Sequence, residues 1–135
     1  MARHPVPFLA KGLYAPKGPY SHAVRAGDFL FISGLGPVDP GTGNVVKGTI
    51  EHETRRTLDN LMILLKSAGR TAADVVKTTV YLLDIKDFAE MNAVYASYFP
   101  QNPPARTTIQ GAGLPAGISI EIDAIAYMGE EEATT

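Results

Sequence analysis

The chain contains no cysteine and no tryptophan, and neither charge sign is in marked excess. The missing thiols exclude disulfides, a thiolate nucleophile and cysteine-ligated zinc. They make a reducing compartment, the cytoplasm or an organelle such as the mitochondrion, the default expectation. Twelve basic against fourteen acidic residues give a formal net charge of −2, so nothing draws the chain to phosphate backbones and nucleic acid is disfavoured as a partner. No window approaches 18 consecutive apolar residues, which leaves no candidate membrane span. The N-terminal "MARHPVPFLAKG" has too short an apolar run for a signal peptide. The three histidines, His4, His22 and His52, show no metal-ligand spacing, and "GPVDPGTG" lacks the flanks of a phosphate-binding loop.

What is present fits one α+β domain over residues 1–135. Residues 1–12 read as an irregular arm, which continues without clear periodicity to Pro19, and residues 129–135 as a frayed acidic tail. "YSHAVRAGDFLFISG" predicts two strands around a turn at Ala26–Asp28, with His22 as a partly exposed strand residue. A short strand is expected at Asn44–Val46. A helix over residues 49–68 has Thr49 as its cap, Gly69 as its stop, and Thr54, Leu58, Leu61, Met62 and Leu65 on its apolar face. "DVVKTTVYLL" predicts a strand. A second helix over residues 85–99, capped by Asp84, would bury Phe88, Met91, Tyr95 and Phe99. "ARTTIQ" and "ISIEIDAIAY" close the series as strands. The expectation is a mixed six-stranded sheet with both helices on one face. The other face must be solvated, covered by a partner chain, or functional.

Alternation along "ISIEIDAIAY" sends Ile118, Ile120, Ile122 and Ala124 one way and Glu121 and Asp123 the other. Along "ARTTIQ", Arg106, Thr108 and Gln110 share a face. If the strands are neighbours, a guanidinium and a carboxylate could approach across the second face. Arg106 would then serve as a bidentate carboxylate clamp, or only as half of an interface ion pair.

The motifs "APKGPYSHAV", "DFLFISG", "GPVDPGTGNVVKG", "VVKTTVYLLDIKDFAEMNAVYASYF", "PPARTTIQ", "GLPAG" and "IEIDAIA" together resemble the YjgF/YER/Rid family of reactive intermediate deaminases, over about residues 13–128. The resemblance implies a chorismate-mutase-like fold and a homotrimer whose sheets form a central barrel, with sites in the inter-subunit clefts. It implies hydrolysis of 2-imino and 2-enamino acids to 2-oxo acids and ammonia, with no metal or organic cofactor. By the same resemblance, Arg106 binds the substrate carboxylate and Glu121 positions the attacking water. Tyr20, Ser33, Gly34 and Asn92 fall on site positions, and Thr108 stands where relatives often have cysteine. His22 and Leu35 replace amides common in the family. These departures keep two alternatives in view: a non-catalytic trimer that binds small carboxylates or acts like a chaperone, and a ribonuclease or translation inhibitor.

Overall fold

The computed structural model describes residues 4–129. Its strands are β1 (Val6–Phe8), β2 (Ala23–Ala26), β3 (Phe29–Leu35), β4 (Val75–Leu82), β5 (Ala105–Gln110) and β6 (Ile120–Tyr127), and its helices are α1 (Ile50–Ser67) and α2 (Phe88–Tyr98). They build one mixed sheet in the order β1-β2-β3-β6-β4-β5, in which only β4 and β5 run parallel. The expected turn between β2 and β3 is present, with Gly27 at φ +61 where an L side chain would be strained.

The arm is not wholly irregular. Its Val6–Phe8 segment pairs antiparallel with β2 and supplies the sixth strand. A proline is tolerated there because β1 is an edge strand. The strand expected at Asn44–Val46 reduces to one bridge, Val38 with Val45. The acidic tail lies outside the described residues apart from Gly129.

His22 is buried at 4% exposure just before β2, contrary to the exposed strand position expected. Its Nδ1 accepts the Ala10 N–H at 2.8 Å, and its Nε2 lies 2.6 Å from the Tyr14 carbonyl. One neutral tautomer satisfies both bonds, so the ring ties the arm to the sheet.

The first helix forms as its sequence dictates. Thr49 Oγ1 accepts the His52 N–H at 3.1 Å, and Glu51 and Glu53 occupy the positive end of the helix dipole. Gly69, at φ +71, lets the Arg70 N–H return to the Leu65 carbonyl at 2.8 Å. Thr54, Leu58, Leu61 and Leu65 are buried, and Met62 packs half-buried against them. The second helix starts later than expected because residues 85–87 form a 3-10 turn, in which Asp84 accepts the Lys86 N–H. Met91, Tyr95 and Phe99 are buried, but Phe88 remains 40% exposed. Both helices cover the sheet face that carries Thr78, Val80, Leu82, Ile120, Ile122 and Ala124. The opposite face exposes Phe29, Phe31 and Tyr127.

Candidate active site in two halves

Register decides where the site residues go. In the parallel β4–β5 pair, Thr78 lies beside Arg106 and Val80 beside Thr108. Thr78 and Val80 are wholly buried beneath the helices. Arg106, Thr108 and Gln110 therefore belong to the helix side of an edge strand. In the β4–β6 pair, Tyr81 lies beside Glu121 and Thr79 beside Asp123. These residues alternate with the buried set and belong to the opposite face. Within one chain, Arg106 and Glu121 thus lie on opposite sides of the sheet, which corrects the expectation that they meet across one face.

Arg106 sits at the base of α2. Its guanidinium carbon is 4.7 Å from the Tyr95 ring centroid and 5.5 Å from that of Phe88. Nη1 reaches the Met91 sulfur at 3.9 Å. The exposed Phe88 thus acts as a prop for the cation rather than as core. Among the described residues, no carboxylate forms an ion pair with Arg106. The side chain lines an open groove of about 520 Å³ with Asn92, Tyr95, Phe99, Pro103 and Pro104. Asn92 Oδ1 is buried there without a hydrogen-bond partner. A cation held by aromatic rings and lacking an internal counter-charge is suited to an external carboxylate.

Glu121 lies in a second, smaller cavity of about 120 Å³, with Tyr14, Tyr20, Gly34, Gly36 and Ile118 around it. Its carboxylate rests on the backbone of Gly34. A Cβ on that glycine would lie 2.8 Å from Glu121 Cδ, so a side chain at this position would displace the carboxylate. Gly34 and Ser33 are at a bulge within β3. Ser33 Oγ donates to the Ser21 carbonyl at 2.7 Å. Tyr20 is half exposed, and its hydroxyl accepts the Lys17 N–H at 3.2 Å. Burial, and to a smaller degree the Asp123 carboxylate, push the Glu121 carboxyl above its ordinary value. A carboxyl so shifted can exchange a proton more readily near neutral pH.

Leu35 points into the core at 3% exposure and faces neither cavity. Glu53 and Asn60, two buried polar residues of α1, escaped sequence reasoning, although both fall on the apolar stripe of that helix. Polar residues on such a stripe are the signal that could have found them.

This six-stranded mixed sheet with two helices on one face is the fold of the YjgF/Rid structures. In the solved YjgF gene product of E. coli, 38% identical, it superposes with a TM-score of 0.82 over 90% of this chain and 97% of that one. The family model described as Endoribonuclease L-PSP matches residues 12–128, and the chain belongs to this YjgF/Rid family. A RutC family protein of Pyrococcus horikoshii is 53% identical over 112 residues, covering 83% of this chain and 89% of that protein. A human relative named 2-iminobutanoate/2-iminopropanoate deaminase is 46% identical over 112 residues, 83% of this chain and 82% of its own length.

Proposed function

We propose that the chain is a hydrolytic deaminase of 2-imino and 2-enamino acids, of the 2-iminobutanoate and 2-iminopropanoate type, and that its site forms between two copies of the chain. Arg106 of one copy faces Glu121, Tyr20 and Gly34 of another. The observation that carries this reading is the separation of two complementary halves. A guanidinium with no carboxylate partner among the described residues lies on one face, and a carboxyl of raised proton affinity lies on the other. Aromatic residues exposed on the Glu121 face, Phe29, Phe31 and Tyr127, favour a covering copy of the chain, and a homotrimer satisfies both needs. The name of the human relative supports the substrate class.

The chemistry follows from the residue types. Arg106 holds the substrate carboxylate bidentately and so fixes the adjacent imine carbon. Glu121 orients a water and takes one of its protons as the oxygen bonds to that carbon. The same proton passes to nitrogen. As the carbon–nitrogen bond of the tetrahedral intermediate breaks, the hydroxyl proton passes through Glu121 to the nitrogen, so that ammonia leaves and the 2-oxo acid remains. An enamine enters the same route after protonation at carbon 3. Thr108 and Asn92 lie on the Arg106 side and offer polar contacts to the bound anion. No step calls for a cofactor.

With Leu35 in the core, no residue singles out a purely binding role. Both nitrogens of His22 are engaged by backbone, so that ring offers nothing to RNA cleavage. The test is the rate of ammonia and 2-oxo acid release from imines generated in situ from serine, threonine and bulkier amino acids. The proposal expects acceleration over water that Arg106→Ala removes. Turnover at the background rate with retained 2-oxo acid binding would favour a binding protein instead.

A further inference from the structure

Two polar side chains on the buried stripe of α1 have no role in the mechanism above. Glu53 is 2% exposed and Asn60 fully buried, one just under two turns beyond the other. Each bonds to backbone flanking the Glu121 cavity. Asn60 Nδ2 donates to the carbonyls of Gly36 at 3.0 Å and Val38 at 2.8 Å, and both residues line that cavity. The Asn60 side-chain oxygen is itself held by Arg56 Nη2 at 3.1 Å. Glu53 Oε1 accepts the Ser119 N–H at 2.9 Å, two residues before Glu121, and Oε2 accepts the Gly48 N–H at 3.3 Å. Between Pro115 and Ser119 the wall of the cavity contains Ala116 at φ +56, a conformation an alanine holds only when its surroundings enforce it.

We propose that Glu53 and Asn60 are positioning residues that fix the two walls of the Glu121 cavity, the Gly36–Val38 segment and the residue 115–119 turn, in the substrate-competent arrangement. The inference rests on the deaminase reading above. Without the Glu53 bond, the strained turn relaxes and only a fraction of molecules present the formed cavity. Apparent substrate affinity falls by that fraction, while the step after binding is untouched.

The experiment compares Glu53→Leu with Glu53→Gln, which keeps one acceptor for Ser119. In the wild type, the Ser119 amide should exchange slowly with solvent although it lies outside the sheet. In Glu53→Leu it should exchange at least about tenfold faster, with KM raised about tenfold and kcat within about twofold, as expected for a lost bond to a charged group. Glu53→Gln should recover both Ser119 protection and KM. A fall in melting temperature and kcat at unchanged KM would show a merely structural prop and overturn the proposal. So would an unprotected Ser119 amide in the wild type, a measurement that stands even if Glu53→Leu does not fold. If the wild type turns over no imine, the deaminase reading fails and the Kd of 2-oxobutanoate replaces KM. If 2-oxobutanoate does not bind either, both readings fail.

Discussion

A methyl group on Gly34 would push the Glu121 carboxylate out of its place. Gly34→Ala should therefore lower turnover as far as Glu121→Gln does, while circular dichroism shows an intact fold. The raised proton affinity of Glu121 gives two linked expectations. The acid limb of kcat/KM, which reports loss of the base, should lie above the ordinary carboxyl value of 4.5. Stability has the opposite sense. The folded state binds this proton more tightly than the unfolded one, so wild-type stability falls as pH rises from 4.5 through the raised value. Glu121→Gln should match the wild type in melting temperature below that window and equal or exceed it above. Arg106→Ala loses a charge-assisted carboxylate contact of about 1.5–3 kcal/mol, or roughly 10–100-fold in kcat/KM. Its stacking on Tyr95 and Phe88 is partly exposed, so the stability cost should stay near about 1 kcal/mol in a denaturant titration.

The arm and the strands show which parts of an element a sequence reveals. His22 bonds the arm through both ring nitrogens, and His22→Leu strands the Ala10 N–H and the Tyr14 carbonyl. Each buried group left unpaired costs about 1–3 kcal/mol, so chemical denaturation should show a loss in that range or above, with His22→Gln milder. Helix α1 was legible from end to end, because Thr49, Gly69 and the leucine stripe each act locally. β1 was not, since three residues with a central proline carry no periodicity and their pairing partner is distant in sequence. Alternation correctly grouped Arg106 with Thr108 and Glu121 with Asp123 within their strands. It could not relate one group to the other, because the two strands do not touch. Only the register of β4, which puts Thr78 beside Arg106 and Tyr81 beside Glu121, sets them on opposite faces. Likewise, periodicity assigned Phe88 to the core, but the helix begins at that residue and its ring turns toward Arg106.

At the scale of the molecule, one chain carries the two halves of the proposed site on opposite faces of its sheet and can bring neither to the other. A sheet face bearing exposed aromatics beside Glu121, and an edge strand presenting Arg106, together favour an assembly in which neighbouring copies complete each site. The most direct measurement is complementation between two impaired variants. Arg106→Ala and Glu121→Gln chains, co-expressed in equal amounts and assembled at random, place an intact Arg106 opposite an intact Glu121 at about one interface in four. Ammonia release from an imine generated in situ should then return to about one-quarter of the wild-type rate, above the residual rate of either variant alone. Mixed assemblies no more active than either variant alone would contradict a site shared between subunits.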